Sequence, residues 1–327
     1  MKRLDALILV LVSFLVIGSV GLISFGDATT RQIALALAVA ILPASVAILL
    51  PGLRLALLAG APVTGLQGFW ANAASVCLFL VLPGRLSEGA KPLILHMEAG
   101  LPFAKGLTAT ALERMLDIAA VLCLAGLLFL SGAYSSTSAG GIEITNLLIV
   151  LFVCLVSVGL LIWRGPRLFA RSQSRLAKAV RQMVVDSLVV IHRLRGFAMI
   201  SRLTLITAGI WLSSYLIAFA ILEIAGNVSV SPWDALLVFL AGTIGYVVAI
   251  APGGIGTFEA ATVLALNSLG YSVSEALFLA VLLRFANMAP AIVSGALYLR
   301  LRGLKFRSLI DRVRNRACGP STEKPKP

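Results

Sequence analysis

Ala251-Pro-Gly-Gly-Ile-Gly-Thr-Phe-Glu259 interrupts an apolar run that extends over residues 233–270. Three glycines and a proline within five residues cannot continue a helix, and in lipid such a break is tolerated only inside protein or beside a cavity. We expect Thr257 to cap the next helix, whose free N–H groups would attract an anion. A cap with no wider role is the alternative. The candidate site residues in this break are Pro252, Gly253, Gly254, Gly256 and Glu259.

A second break, Leu82-Pro-Gly-Arg-Leu-Ser-Glu88, lies within the apolar stretch 65–100 and has the same plan. Ser87 is the candidate cap here, and Arg85 adds a cation beside it. Glu88 follows the break as Glu259 follows the other one. A site of this kind suits phosphate.

The composition places the chain in a bilayer. Of its 327 residues, 59% are hydrophobic and only 13% are charged, and the mean hydropathy is +1.00. A soluble domain carries about 25% charged residues, and even a large core would leave much of so apolar a chain exposed to water. The four cysteines form no CxxC pair, so neither a zinc site nor a disulfide framework is expected.

The net charge of +13 is concentrated in two segments. Nine Lys or Arg residues lie within 164–202, and nine more lie within 300–327. No basic-aromatic pattern accompanies them, which argues against nucleic acid as a partner. Both segments flank apolar runs, and the positive-inside rule places them in the cytoplasm together with both chain termini. The chain is therefore expected to be a multi-pass protein of the cytoplasmic membrane.

A membrane span needs about 20 mostly apolar residues. The stretches 65–100 and 233–270 are apolar but broken, and counting spans from the N-terminus makes each a hairpin, the first entering from inside and the second from outside. We predict an all-α polytopic membrane protein with about six full spans and two Pro-Gly-broken hairpins. The candidate spans are 6–25, 33–50, 105–130, 144–163, 203–225 and 276–299. The predicted domains are a transmembrane domain over 1–303, with halves of about 1–130 and 144–300 and a basic cytoplasmic loop at 164–202, and a basic tail over 304–327.

The two halves show a common spacing that favours an inverted repeat. Glu113 lies twenty-five residues after Glu88, and Arg284 lies twenty-five residues after Glu259. Together with the opposite orientation of the two hairpins, this spacing is typical of transporters built from inverted repeats with broken helices.

Three charged residues, Glu113, Arg114 and Asp117, fall inside the span 105–130. A charge at the bilayer centre costs roughly 2.5–3.5 kcal/mol on insertion scales, so these side chains must pair or face a wet cavity. Glu113 and Asp117 share one helix face, and Arg284 in another span is the expected partner. Two interpretations stay open: an ion-pair network that only holds helices together, and a polar site for a charged headgroup or for proton exchange.

Other residues carry weaker signals. Basic residues recur every three or four positions over 167–181, which predicts either an amphipathic helix on an anionic membrane surface or a solvated loop. His96 is expected to be structural, and Trp211 and Tyr246 are expected to serve packing.

Three ordered motifs give the chain a family resemblance. Pro83-Gly-Arg-x-Ser-Glu88 with Lys91, then Glu113-Arg-x-x-Asp117, then Pro252-Gly-Gly-x-Gly-x-x-Glu259 resembles the lysylphosphatidylglycerol synthase transmembrane-region family over roughly residues 5 to 300. The resemblance implies a flippase-like integral membrane protein. Lys91 stands where an Arg is expected, which keeps the charge but loses bidentate phosphate geometry. About 27 polar residues follow the last span instead of a large catalytic domain, so lysyl transfer is not expected.

These features together predict a lipid flippase or transporter that moves an anionic or glycosylated lipid across the cytoplasmic membrane. Its expected partners are a membrane phospholipid or lipid-linked substrate, anionic lipid headgroups and an enzyme of lipid synthesis; no cofactor or metal is expected. One alternative is a membrane-embedded lipid-modifying transferase, although no nucleophile or metal constellation supports it. The other is an accessory subunit of lipid or envelope synthesis. The expected substrate-binding residues are Arg85, Glu88, Lys91, Glu113, Arg114, Asp117, Pro252, Gly253, Gly254, Gly256, Glu259 and Arg284.

Overall fold

The structure is a computed structural model that describes residues 27–80, 82, 86–132, 185, 187–190, 192, 195–226, 228–248 and 251–303. Its described elements are all helical. They are α1 (Asp27–Ala59), α2 (Gly65–Phe79), α3 (Ala90–Ala99), α4 (Phe103–Leu130), α5 (Phe197–Ala225), α6 (Pro232–Val247), α7 (Thr257–Ser268) and α8 (Val273–Leu301), with 3-10 turns at Leu86–Gly89 and Pro252–Gly254. The all-helical membrane class predicted from the sequence is confirmed.

Three of the described helices are long and apolar enough to cross a membrane, namely Thr30–Ala59, Phe197–Ala225 and Val273–Leu301. They contain three of the predicted spans. The helix α4 contains a fourth and is 28 residues long, but its charged residues make its N-terminal part less apolar. The predicted spans 6–25 and 144–163 and the basic segment 167–181 lie outside the described residues.

The sequence-based boundary of α1 was wrong. The sequence predicted a span that ends at residue 50, before Arg54. Instead α1 continues through Pro51 to Ala59, and Arg54 lies inside the helix bundle. The leucine-rich residues 53–58 extend the apolar surface, and neighbouring helices in a membrane can accommodate a proline within a helix.

Each broken stretch forms a pair of short helices. We call α2, the turn Leu86–Gly89 and α3 the first hairpin, and α6, the turn Pro252–Gly254 and α7 the second hairpin. Their helices contain 15 and 10 residues in the first and 16 and 12 in the second. At 1.5 Å per residue these measure roughly 15 to 24 Å, less than the hydrocarbon thickness of about 30 Å. Each helix therefore reaches only part of the way through a bilayer.

Hydrogen bonds at the ends of the hairpins show how the hairpins are oriented. Gln67 Nε2 donates to the backbone oxygen of Glu98 at 3.0 Å, which joins the two ends of the first hairpin. The Tyr271 hydroxyl donates to the backbone oxygen of Val228 at 3.2 Å, which joins the two ends of the second. At the other end of α8, the Tyr298 hydroxyl donates to Glu98 Oε1 at 2.8 Å. Because α8 runs from the ends of one hairpin to the ends of the other, the hairpins enter the bundle from opposite ends.

A close approach of two glycines holds α1 against the first hairpin. A Cβ atom added to Gly68 of α2 would lie 2.1 Å from the backbone oxygen of Gly52 in α1. This approach keeps α1 next to the first hairpin, only half a helical turn before Arg54. The glycines are therefore part of what places Arg54 in the bundle.

We expect Gly68→Ala to destabilise the protein by about 1–3 kcal/mol, because the added methyl group must push two helix backbones apart. The measurement is thermal unfolding in detergent. Gly126→Ala is the matched control, since Gly126 is also helical but a Cβ there would meet no atom within 4 Å. Equal melting temperatures for the two variants would show that the close approach is absent.

Candidate functional site

Six charged side chains from four elements meet beside the first hairpin. We call them the first ion cluster. Arg54 comes from α1, Glu88 from the 3-10 turn, Lys91 from α3, and the remaining three from α4. The members are Arg54, Glu88, Lys91, Glu113, Arg114 and Asp117.

The inner part of the first ion cluster is sealed from solvent. The Glu113 side chain is 0% exposed, and its Oε2 lies 3.0 Å from Lys91 Nζ. Its Oε1 lies 3.6 Å from Arg54 Nε, and Arg54 Nη1 donates to Asp117 Oδ1 at 2.8 Å. Arg54 and Lys91 are 2% and 4% exposed. These buried charges are stabilised by one another, since an unpaired charge at this depth would be far more costly.

The outer part of the first ion cluster is open. Arg114 places Nη2 at 3.1 Å from Asp117 Oδ2 and Nη1 at 3.7 Å from Glu88 Oε1. The Arg114 side chain is 38% exposed, although it stands twelfth in the 28-residue helix α4. It therefore lies roughly 16 Å along the helix axis from the start of α4. A partly exposed arginine this far along a membrane-spanning helix is expected to face water or a polar headgroup rather than lipid tails.

The partner of these carboxylates is not the residue that the sequence suggested. Arg284 was expected to pair with Glu113 and Asp117, but Arg54 and Lys91 occupy that place. The position of Arg54, a single cation in an otherwise apolar run, was the signal that sequence reasoning missed, because a cation there needs a buried carboxylate.

Arg284 instead organises the tip of the second hairpin, and we call this group the second ion cluster. Its Nε and Nη2 donate to the two carboxylate oxygens of Glu259 at 2.5 and 2.9 Å. Nη1 and Nη2 also donate to the backbone oxygens of Gly253 and Gly254 at 2.6 and 2.8 Å. The Arg284 side chain is 1% exposed, so the planar guanidinium acts as a clamp on backbone that no helix satisfies.

The helix that follows this tip is capped differently from the prediction. Gly256, with φ of 87°, is the N-cap of α7, and its N–H donates to Glu259 Oε2 at 2.8 Å. The Thr257 hydroxyl points back into the hairpin and donates to the backbone oxygens of Gly245 and Gly254. The anion expected at this N-terminus is thus, in part, the protein's own carboxylate.

The first break is described only in part. Pro83, Gly84 and Arg85 lie outside the described residues. Ser87 does not cap α3, whose N-cap is Gly89 without a side-chain bond; the backbone oxygen of Ser87 accepts from the Ser75 hydroxyl at 2.8 Å. The sequence placed the cap two residues too early because a 3-10 turn precedes the helix.

The two hairpins touch near their tips. A Cβ atom on Gly253, whose φ is 70°, would lie 3.1 Å from Leu80 Cδ2, just beyond the end of α2. The ring of Phe79 meets the ring of Tyr246 edge-on, with centroids 6.5 Å apart. The site is therefore two polar clusters separated by a junction of apolar and aromatic side chains.

His96 has a structural role. His96 Nδ1 lies 2.9 Å from the backbone oxygen of Leu101, at the end of α3. Among the described residues, no group of three or more His, Cys, Asp or Glu side chains is arranged to hold a metal ion.

Comparison with known proteins gives one match. A family model described as "Lysylphosphatidylglycerol synthase TM region" matches residues 4–295. No curated protein and no solved structure matches the chain.

Proposed function

Because the chain belongs to the lysylphosphatidylglycerol synthase transmembrane-region family, an integral membrane protein family, we propose that it moves a lipid between the two leaflets of the cytoplasmic membrane. The transported lipid carries a phosphate or a sugar in its headgroup. Both chain termini are proposed to lie in the cytoplasm, since the basic segments 164–202 and 300–327 flank apolar runs.

The observation that carries this proposal is the partly exposed side chain of Arg114 in the middle of α4. A purely structural ion pair would be expected to bury this side chain as completely as Arg54 or Glu113. Its exposure beside two carboxylates supports a wet opening at the depth where a transporter must hold the headgroup of its lipid.

The proposed mechanism uses the two parts of the first ion cluster differently. Arg114 binds a phosphate or sugar oxygen of the headgroup, and Glu88 and Asp117 position its guanidinium. The inner residues Arg54 and Glu113 fix this arrangement from behind. When the headgroup binds Arg114, it replaces the ion pairs that Arg114 makes with Glu88 and Asp117 in the resting protein.

The second ion cluster has a supporting role in this mechanism. Arg284 holds the glycine-rich tip in a single conformation, and that tip contacts the first hairpin at Leu80. Movement of one hairpin relative to the other would open or close the route of the headgroup, as in transporters with broken helices.

The test is a leaflet-exchange assay with purified protein in vesicles. The probes are two fluorescent lipids with identical acyl chains, one with a phosphoglycerol headgroup and one with an uncharged sugar headgroup. Movement of either above protein-free vesicles supports transport. Movement of neither, with the protein shown to be folded, would contradict the proposed function and favour an accessory role.

We expect Arg114→Gln to slow lipid movement by about ten- to a hundredfold, which corresponds to the loss of one hydrogen bond to a charged group. Its folding should change little, because Arg114 is half-exposed and its carboxylate partners retain other contacts. The measurements are the initial rate of leaflet exchange and the melting temperature. Lys105→Gln, at an exposed position on the same helix, is the matched control and should move lipid like the wild type. Equal rates of leaflet exchange for both variants would show that Arg114 does not bind the headgroup.

A further inference from the structure

Tyr246 of α6 occupies the junction between the two hairpins. Its ring packs on Phe258 of α7 with centroids 4.4 Å apart, and it meets Phe79 from the end of α2. The guanidinium carbon of Arg284 lies 5.2 Å from the centre of the same ring. Tyr246 thus touches the tip of the first hairpin and the clamp of the second.

The described residues give the hydroxyl of Tyr246 no hydrogen-bonding role. Its oxygen is buried and makes no hydrogen bond to any of them. A buried tyrosine hydroxyl usually finds a partner, and an unsatisfied one lowers stability. Phenylalanine would make the same ring contacts without this cost, so packing explains the ring and leaves the hydroxyl unexplained.

The side chains around the ring do not supply an acceptor. Phe79 and Phe258 are apolar, and the Arg284 guanidinium can only donate. The Glu259 carboxylate is engaged by Arg284 and by the N–H of Gly256. Among the described residues, therefore, no side chain around the ring is a free acceptor. An oxygen of a bound ligand could fill this role, and the positive charge of Arg284 favours an electron-rich one.

We propose that Tyr246 is a headgroup-binding residue whose hydroxyl donates to an oxygen of the transported lipid when the two tips separate. The inference rests on the proposed transport function and adds a second contact to that made by Arg114. The acceptor is a phosphate oxygen or a sugar oxygen, which share the required chemistry.

The test compares two variants that each remove one unsatisfied buried hydroxyl. Tyr246→Phe removes it at the junction, and Thr262→Val removes it inside the second hairpin. Thr262 is 0% exposed, its hydroxyl oxygen is also without a partner, and it lies against Gly242 of α6, one helical turn away from the tip. Both variants are measured for melting temperature in detergent and for leaflet exchange of the phosphoglycerol lipid and the sugar lipid.

We expect both variants to melt a few degrees above the wild type, because each loses an unsatisfied polar group. Only Tyr246→Phe should slow lipid movement, by about tenfold, as the loss of one hydrogen bond predicts. Slowing of the phosphoglycerol lipid alone identifies a phosphate acceptor, and slowing of the sugar lipid alone identifies a sugar acceptor. If Tyr246 served packing alone, Tyr246→Phe would keep the ring contacts and would not slow lipid movement.

Two results would overturn the inference and leave the transport function standing. One is wild-type exchange of both lipids by Tyr246→Phe. The other is a lower melting temperature for Tyr246→Phe, since that would mean the hydroxyl already has a partner in the resting protein. If the wild-type protein itself moves neither lipid, the transport function fails, and the role of Tyr246 fails with it.

Discussion

Replacing Arg284 with methionine is expected to cost about 3–5 kcal/mol of folding stability, the usual effect of removing one partner from a buried ion pair. The loss has two sources. The Glu259 carboxylate keeps only the N–H of Gly256 as a described partner. The backbone oxygen of Gly253 loses the guanidinium donor, and that of Gly254 keeps only the Thr257 hydroxyl as a described donor. Lipid movement should be abolished, since the tip that contacts the first hairpin is no longer held.

The measurements are thermal unfolding in detergent and leaflet exchange in vesicles. Arg300→Met is the matched control, because Arg300 lies on the same helix α8 but is exposed; it should leave both readings near those of the wild type. Arg284→Lys refines the test. Lysine keeps the charge but cannot reproduce the planar fork that binds a carboxylate and two carbonyls together, so it should recover only part of the stability. Full recovery with lysine would show that charge alone matters at this position.

Local patterns in the sequence were sufficient for most of the fold. The Pro-Gly breaks at 83–84 and 252–253 predicted two hairpins, and the described helices are interrupted around both places. Four apolar runs predicted helices that the structure contains. These features depend on neighbouring residues, since a glycine cluster ends a helix and a long apolar run favours one wherever the chain then goes.

The partners of the charged residues could not be predicted in the same way. Helical periodicity placed Glu113 and Asp117 on one face, but the cation that meets them comes from a helix about sixty residues earlier. Which of several cations reaches a carboxylate is decided by helix packing, here by the close approach of Gly52 and Gly68. A one-dimensional spacing carries no such information.

The shared spacing of twenty-five residues predicted the ion pair at one hairpin but not at the other. At the second hairpin, Glu259 of α7 forms a direct ion pair with Arg284 of α8. Beside the first hairpin, the corresponding helix position, Glu113, pairs with Lys91 rather than with Glu88. The second hairpin thus supplies the carboxylate of the Glu259–Arg284 pair, whereas the first hairpin supplies the cation of the Lys91–Glu113 pair. An inverted repeat remains a prediction. If it holds, it must account for the opposite placement of cation and carboxylate in these two ion pairs.

Glu113→Gln is expected to destabilise the protein by about 3–5 kcal/mol, because it leaves a surplus of buried positive charge beside Lys91 and Arg54. Lys91→Met should have a similar effect, since Arg54 at 3.6 Å would then be the remaining described partner of Glu113. Glu223→Gln, at an exposed position on α5, is the control and should change little. The measurement for each variant is thermal unfolding in detergent.

The double variant Lys91→Met, Glu113→Gln distinguishes the two interpretations of the first ion cluster. It removes one charge of each sign and leaves Arg54 paired with Asp117 at 2.8 Å, so its loss should be smaller than the sum of the single losses by about 0.5–3 kcal/mol. Simple additivity would mean that Lys91 and Glu113 do not interact.

If the double variant folds but no longer moves lipid, the buried pair serves transport by holding Arg114 in position. If it regains both stability and lipid movement, the pair only holds helices together, and the headgroup site is confined to the partly exposed residues Arg114, Glu88 and Asp117.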